Sequence, residues 1–287
     1  MNDYLQAILL GVIQGLAEFL PISSSGHLVI AKHLLGWCGD GEVLSSGKEL
    51  EVLLHIGTLG SILVVYAGEL RQQLFNWRQW ALVVVASIPA AVVGLTLEDW
   101  FDQAFDTPAI AGFGLLVTAA LLVLGQRLEH GKYDLKSLPW VSAVVIGCFQ
   151  AVALVPGISR SGSTISGGLL TGVDRVSATR FSFLLAIPVT AGAIVLTLKH
   201  AVEHGGLDKA GGPEIVGIAV SFVVGWLSLR LLIRLMTQRK LHWFAGYCLA
   251  LGLATIVVAE AVENGGTARH AAAASDDATM RGTVTAR

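Results

Sequence analysis

The residues of this chain that could take part in chemistry are concentrated in two short segments. The first, residues 14–27, carries the carboxylate of Glu18, three consecutive serines and His27. The second, residues 150–164, carries Arg160 among serines and a threonine. A carboxylate, a hydroxyl and an imidazole in one segment could activate a nucleophile. An arginine with hydroxyl neighbours could bind an oxyanion such as a phosphate.

The two segments are related copies. Seven positions match at a constant offset of 136 residues: Gly11, Gln14, Ala17, Ile22, Ser23, Ser25 and Gly26 correspond to Gly147, Gln150, Ala153, Ile158, Ser159, Ser161 and Gly162. The copies differ at the reactive positions, because the second has Arg160 where the first has Ser24. One acidic copy and one basic copy predict the two halves of a single site.

The composition indicates a membrane protein. Hydrophobic residues make up 54% of the chain and charged residues 14%, and the mean hydropathy is +0.68, outside the range of soluble globular domains. A net charge of −2 argues against a nucleic-acid partner. The three cysteines lack the spacing of a zinc site or a disulfide framework. Six apolar runs are each about long enough to cross the ~30 Å hydrocarbon core as a helix: residues 50–67, 80–97, 110–125, 181–198, 215–229 and 243–259.

Two further apolar stretches are interrupted. Residues 4–20 stop at Pro21 and resume at 28–37, and residues 140–155 stop at Pro156 and resume at 164–170. Non-helical backbone at membrane depth survives only where protein buries it or water reaches it. Both stretches therefore predict re-entrant helical hairpins, and paired broken segments in two halves of a chain point to an intramembrane site.

The predicted fold is an all-α polytopic membrane protein with an inverted-topology repeat. A second match, at an offset of 131, relates residues 53–56 to 184–187 and 92–94 to 223–225. Each half then has one hairpin and three crossings, and the odd number of crossings inverts the second half. We predict one membrane domain over residues 1–263, with repeats at about 4–126 and 140–262, and a disordered polar tail over 264–287.

The basic residues predict the orientation. Eleven lie on one side of the predicted topology: Arg71, Arg78, Arg127, Lys132, Lys136, Arg175, Arg180, Arg230, Arg234, Arg239 and Lys240. The loops of the other side hold four lysines, and the tail holds three arginines. By the positive-inside rule the first side is cytoplasmic, so the first hairpin opens outward.

The predicted chemistry is phosphoryl transfer. Arg160, hydroxyl donors and a helix N-terminus favour phosphate. Gln14 and Glu18 share a helix face, and their oxygens suit Mg²⁺ or Ca²⁺, which usually also coordinates substrate phosphates. Ser24 could attack phosphorus with His27 as its base. Alternatively Glu18 is the base and His27 protonates the leaving group.

The predicted site has three groups of residues. The catalytic residues are Glu18, Ser24, His27 and Arg160. The substrate-binding residues are Gln14, Ser23, Ser25, Ser159, Arg160, Ser161 and Thr164. The metal ligands are Gln14 and Glu18. His55, inside an apolar run, is interpreted as structural.

A purely structural interpretation competes with this one. The charges of Glu18 and Arg160 could only join the two hairpins, and the serines could only cap the helices that follow them. Buried ion pairs contribute little net stability, and intramembrane charge is costly, which favours a functional role.

The two motifs resemble those of the undecaprenyl-diphosphatases linked to bacitracin resistance. The first motif is Gln14 and Glu18 followed by Pro-Ile-Ser-Ser-Ser-Gly-His at 21–27, and the second is Pro-Gly-Ile-Ser-Arg-Ser-Gly-Ser-Thr at 156–164. The resemblance covers about residues 3–260. Many members of the family have a glutamate where this chain has Gln14, so a paired-carboxylate metal site is not implied here.

The resemblance implies hydrolysis of undecaprenyl diphosphate in the bacterial plasma membrane. This reaction recycles the lipid carrier of peptidoglycan synthesis and confers bacitracin resistance. It also implies that Arg160 binds the diphosphate, that Ser24 is the nucleophile and that Glu18 is required. The orientation predicted from the basic residues places the site open to the periplasmic face.

Two other functions share features with this sequence. Inverted repeats with broken helices are also typical of transporters, so a polyprenyl-phosphate flippase is the alternative. A phosphatidic-acid-phosphatase type of enzyme would need a second histidine soon after Ser159 and Arg160, and residues 161–171 contain none. The sequence leaves the oligomeric state open, a homodimer included.

Overall fold

The computed structural model describes residues 2–37, 47–73, 76–203, 211–238 and 240–284. Within these residues the chain is a helical bundle without β-strands, apart from an isolated bridge between Tyr133 and Val173. The helices are α1 (Asp3–Phe19), α2 (Ser24–Trp37), α3 (Gly47–Val65), α4 (Ala67–Gln73), α5 (Trp77–Thr96), α6 (Glu98–Phe105), α7 (Pro108–Arg127), α8 (Trp140–Val152), α9 (Arg160–Leu170), α10 (Arg175–Glu203), α11 (Gly212–Thr237) and α12 (Leu241–Val284).

Five helices are long and apolar enough to cross a membrane: α5, α7, α10, α11 and α12. They confirm five of the six predicted crossings. The sixth corresponds to α3, which has 19 residues, but its apolar part Val52–Val65 is shorter. The chain is therefore a multi-pass membrane protein. The short helices α4 and α6 were not predicted, because they fall in polar segments between the apolar runs.

The side chains are distributed as expected for a protein solvated by lipid. Large apolar residues on the transmembrane helices face outward, and Leu95, Val195 and Ile215 are each more than 60% exposed. Hydroxyl side chains lie inside, since Thr118, Ser163 and the other serine and threonine residues of α9 are buried. Polar groups are costly in hydrocarbon, so the bundle buries them between its helices.

Both predicted helix breaks are confirmed. The backbone leaves the α-helix between α1 and α2 at residues 20–23, and between α8 and α9 at residues 153–159. However, α2 and α9 each begin four residues before the apolar pattern resumes. The reason is capping: the Ser23 hydroxyl accepts from the Gly26 amide at 3.2 Å, and the Ser159 hydroxyl accepts from the Gly162 amide at 3.1 Å.

Each hairpin packs closely against a helix from the other half of the chain. α1 lies along α11, and a Cβ atom at Gly11 would lie 2.7 Å from the Gly217 carbonyl oxygen. Correspondingly, α8 lies along α5, and a Cβ at Gly147 would lie 2.5 Å from the Ala86 carbonyl oxygen. The glycines allow the backbones to approach, which is how small residues promote helix association in membranes.

The last turn of α7 and the segments that follow α3, α7, α9 and α11 meet on one face of the bundle. Their contacts are Arg180 to Glu69 at 3.4 Å, Arg78 to the carbonyls of Lys136 and Leu138 at 2.8 and 2.6 Å, an Arg175–Glu129 ion pair, and the His242 amide to Gln126 at 2.9 Å. Most of the predicted cytoplasmic basic residues lie in these segments.

The backbone is helical to Val284, across a segment where the composition predicts a disordered tail. Side chains beyond residue 262 lie outside the described residues. The domain boundary near residue 263 therefore stays a prediction.

Candidate active site

The tips of the two hairpins meet at Glu18. Its Oε1 accepts from Arg160 Nη2 at 2.5 Å, and its Oε2 accepts from the Ser24 hydroxyl at 2.7 Å and from Gln14 Nε2 at 3.1 Å. The Glu18 side chain is 8% exposed and that of Arg160 is 18% exposed. The structure thus brings together the acidic and basic copies of the repeated motif. The Ser24 hydroxyl is thus bonded directly to a carboxylate that could act as its base.

The first tip owes its shape to Ser23, which holds a left-handed conformation with φ of 70°. A non-glycine residue rarely adopts this conformation, and such strain is concentrated at functional sites. The Ser23 hydroxyl caps α2 and lies 3.2 Å from the Ser25 hydroxyl. Because Ser23 does the capping, Ser24 becomes the first residue of α2 and is free to face Glu18.

The second tip is held by Thr118 of α7. The Thr118 hydroxyl donates to the Gly157 carbonyl at 2.9 Å and accepts from the Ser159 amide at 2.8 Å. Gly157 has a φ of 87°, which a glycine adopts without strain, and a Cβ there would lie 2.0 Å from the Ala111 carbonyl oxygen. These contacts therefore fix the backbone of this tip immediately before Arg160 in the chain.

The predicted site residues divide into accessible and buried sets. Ser24, Ser25, His27 and Arg160 are partly exposed, so they can meet a ligand. Gln14, Ser23, Ser159, Ser161 and Thr164 are at most 2% exposed.

The buried hydroxyls of the second hairpin are used inside it. Ser159 caps α9, and Thr164 bonds to the Arg160 carbonyl at 2.8 Å and to the Ser182 hydroxyl at 2.6 Å. Ser161 lies 3.2 Å from the Ser159 hydroxyl and 3.4 Å from the Leu20 carbonyl. In this structure they shape the tip that presents Arg160, and direct contact with substrate stays a prediction for them.

The imidazole of His27 does not bond to Ser24 in this structure. Its Nδ1 lies 2.7 Å from the Ser23 carbonyl oxygen, and its Nε2 lies 2.7 Å from the Tyr247 hydroxyl. A carbonyl can only accept, so Nδ1 carries the proton. In the neutral ring Nε2 therefore accepts from Tyr247. This geometry favours Glu18 over His27 as the base for Ser24.

Two residues near the site were not predicted. His55 of α3, interpreted from the sequence as structural, places Nε2 3.5 Å from Glu18 Oε2 and so lies beside the candidate site. An ionisable residue in an apolar run is a functional candidate by default, and this rule would have found His55. Tyr247 carries no comparable local signal, because it lies 220 residues from His27.

The donor set for a divalent cation is small. Glu18 is the one carboxylate at the tips, and across the described ranges no three His, Cys, Asp or Glu side chains are grouped to hold a metal ion. One observation does fit a cation: within the same ranges, Gln14 Oε1 is a buried carbonyl oxygen with no hydrogen-bond partner. An orphaned acceptor beside a carboxylate is the donor chemistry that Mg²⁺ or Ca²⁺ uses.

Comparisons with known proteins agree with the motifs. The family model described as "Bacitracin resistance protein BacA" matches residues 7–254. The chain is 44% identical over 262 residues to an undecaprenyl-diphosphatase of Rhodopirellula baltica, which covers 90% of this chain and 99% of that protein. It is 40% identical over 268 residues to an undecaprenyl-diphosphatase of a Nocardioides species, covering 90% and 97%. A third, from Alkaliphilus metalliredigens, is 39% identical over 272 residues, covering 88% and 97%.

Proposed function

Because this chain belongs to the bacitracin resistance protein BacA family, we propose that it is the undecaprenyl-diphosphatase its relatives are named for. It is a membrane hydrolase that converts undecaprenyl diphosphate into undecaprenyl phosphate and inorganic phosphate. The observation that carries this function is the meeting of Glu18, Ser24 and Arg160 where the two hairpin tips touch. The flippase alternative is not favoured, since the relatives carry the name of a phosphatase.

The geometry supports a covalent route. The guanidinium of Arg160 binds the terminal phosphate, and its Nη1 is buried without a hydrogen-bond partner in the part of the chain that the structure describes, so it is available. Ser24 Oγ attacks the terminal phosphorus and gives its proton to Glu18 Oε2, 2.7 Å away. The bond from that phosphorus to the bridging oxygen breaks, and undecaprenyl phosphate leaves.

Water completes the reaction. A water molecule attacks the phosphorus of the phosphoserine, and the bond from that phosphorus to Ser24 Oγ breaks. Glu18 returns the proton it took in the first step to Ser24 Oγ, and inorganic phosphate leaves with the oxygen and the protons of the water. The first leaving group is a phosphate monoester, whose second pKa is about 6, so it departs as a stable anion. The chemistry therefore does not require His27 as an acid.

We extend the proposal to a divalent cation, Mg²⁺ or Ca²⁺. Gln14 Oε1 and Glu18 would hold it together with oxygens of the diphosphate. When bound, it would neutralise phosphate charge. With one protein carboxylate in the set, we expect the substrate to supply most of the ligands.

An inverted-topology repeat is the proposed architecture, with each half made of one re-entrant hairpin and three transmembrane helices. Equivalent contacts in the two halves support it. The Pro21 carbonyl accepts from Cys248 Sγ of α12 at 3.7 Å, and the Gly157 carbonyl, 136 residues later, accepts from Thr118 of α7 at 2.9 Å. The tip of the first half is thus held by the last helix of the second half, and the tip of the second half by the last helix of the first. A two-fold relation between the halves predicts this reciprocal pattern.

The proposed location is the bacterial inner membrane, with the site open to the periplasmic face. The basic loops that gather on one face support this orientation. A homodimer stays a prediction.

Purified protein should release phosphate from a C55 diphosphate, and EDTA should abolish the release. Glu18→Ala and Arg160→Ala should each lose activity, whereas Ser87→Ala, which removes a hydroxyl bonded within α5, should keep it. Full activity of both site variants would refute the site. Lipid movement across a bilayer without any phosphate release would support the flippase instead.

A further inference from the structure

The aromatic ring of Tyr247, on α12, lies beside the imidazole of His27 and nearly parallel to it. The ring centroids are 5.6 Å apart and the planes differ by 9°, so the rings are stacked. The Tyr247 hydroxyl also lies 2.7 Å from His27 Nε2. Stacking and a hydrogen bond together fix both the plane and the rotation of the imidazole.

A second contact keeps α12 at this tip. Cys248, the next residue, is fully buried, and its Sγ lies 3.7 Å from the Pro21 carbonyl oxygen. The position of Tyr247 relative to the first hairpin is therefore fixed by its neighbour, and does not depend on the hydrogen bond to His27 alone.

The other ring nitrogen of the imidazole, Nδ1, contacts the residue that precedes the nucleophile. His27 Nδ1 donates to the Ser23 carbonyl, and Ser23 is the strained residue immediately before Ser24. Strained conformations persist only where the surroundings over-determine them. Here Tyr247 restrains His27, and His27 restrains the Ser23 carbonyl. The backbone at Ser23 in turn sets the direction in which the Ser24 hydroxyl faces Glu18.

The geometry points to Tyr247 as a positioning residue for the hydrolysis: it holds His27 in the tautomer that restrains Ser23, and so keeps Ser24 in line for attack. His27 then serves as a restraint, with both ring nitrogens engaged, and the proton of Ser24 goes to Glu18. This inference rests on the proposed phosphatase function. By this inference a residue of α12, Tyr247, helps to position the active-site residues of the first hairpin.

The test is a double-mutant cycle on phosphate release from a C55 diphosphate by full-length protein. Tyr247→Phe keeps the stacked ring and removes the hydroxyl, and it should lower kcat about tenfold, the effect of one lost hydrogen bond, with KM unchanged. In a His27→Ala background the same change should have no further effect, because Tyr247 acts through His27. Tyr133→Phe, in the loop between α7 and α8, is the matched control and should keep wild-type kcat.

A spectroscopic readout accompanies the kinetics. In ¹⁵N-histidine-labelled protein, the His27 signals, identified by their loss in His27→Ala, should show a protonated Nδ1 in the wild type and a changed tautomer population in Tyr247→Phe. The melting temperature of Tyr247→Phe should match that of the wild type, which excludes misfolding as the cause.

Two results would overturn the inference: wild-type kcat in Tyr247→Phe, or fold-losses that multiply in the double variant, which would mean that Tyr247 acts independently of His27. If the wild type released no phosphate, the proposed function would fail. The restraint of His27 by Tyr247 would then be tested by the tautomer measurement alone. An unchanged His27 tautomer in Tyr247→Phe would refute that restraint.

Discussion

At the residue scale, one carboxylate serves several partners. Glu18 directs Oε1 to Arg160 and Oε2 to Ser24, Gln14 and His55. A phosphate bound at Arg160 Nη1 would share the positive charge that Nη2 now offers to Glu18 Oε1. We therefore expect substrate binding to weaken the ion pair and to leave Glu18 a stronger base when Ser24 must lose its proton.

The neighbouring serines give a direct test of the nucleophile. Ser24→Ala should lower kcat at least ~10³-fold, because it removes the attacking atom. Ser25→Ala should cost less than about tenfold, since the Ser25 hydroxyl bonds to Ser23 and not to Glu18. Phosphate release measures both. Near-normal turnover of Ser24→Ala would instead favour direct attack by water.

The Glu18–Arg160 pair also predicts a pattern of stabilities. Removing one partner of a buried pair leaves an uncompensated charge, so Arg160→Met should lower the free energy of unfolding by about 3–5 kcal/mol. The double variant Glu18→Gln with Arg160→Met removes both charges and should recover most of that loss while remaining inactive. Thermal unfolding in detergent measures the effect. A double variant as unstable as the sum of the single ones would contradict this expectation.

At the element scale, the hairpins depend on close backbone contacts. Gly147→Ala places a methyl group 2.5 Å from the Ala86 carbonyl oxygen, so α8 and α5 must separate. We expect a loss of about 1–3 kcal/mol in the free energy of unfolding and a lower activity, because α8 carries the second tip.

The control for this change is a glycine with free space around it. Gly192 lies within α10, and a Cβ there would meet no atom within 4 Å. Gly192→Ala should leave the melting temperature unchanged or raise it, since alanine favours the helix by up to about 1 kcal/mol. If both variants melted alike, the close approach of α8 and α5 would not be what stabilises the hairpin.

The sequence predicted these elements well where the signal was local. Hydropathy located the long helices, and Pro21 and Pro156 located the breaks. The starts of α2 and α9 were placed too late, because an apolar pattern does not register the capping by Ser23 and Ser159. The local sequence pattern thus predicts where the two hairpins lie, but it does not predict the first turns of α2 and α9.

Contacts between distant elements were predictable only where the repeat pointed to them. The match between the two motifs predicted that Glu18 and Arg160 belong together, although they lie 142 residues apart. No repeat links His55 or Tyr247 to the tips, so their contacts emerge only when α3 and α12 pack against the first hairpin. Tertiary packing, and not local composition, therefore determines that His55 and Tyr247 lie beside the tips.

At the scale of the whole molecule, the two faces of the bundle are distinguished by their loops. The Arg78 guanidinium donates to carbonyls of the segment before α8, and the start of α12 bonds to the end of α7. These contacts place the ends of both halves on one face. The residue preceding α7, Thr107, lies at the opposite end of that helix.

This arrangement predicts the accessibility of single cysteines. In a background with Cys38, Cys148 and Cys248 changed to alanine, Asp106→Cys should react with a membrane-impermeant maleimide in intact spheroplasts. Lys136→Cys should react only after the membrane is permeabilised, because the positive-inside rule places its basic loop in the cytoplasm. Both residues are exposed, so burial does not account for a difference between them. Since α7 alone joins residue 106 to the segment that contains Lys136, equal labelling of both sites before permeabilisation would refute a membrane crossing by α7. The reverse pattern would place the hairpin that carries Glu18 and Ser24 open to the cytoplasm.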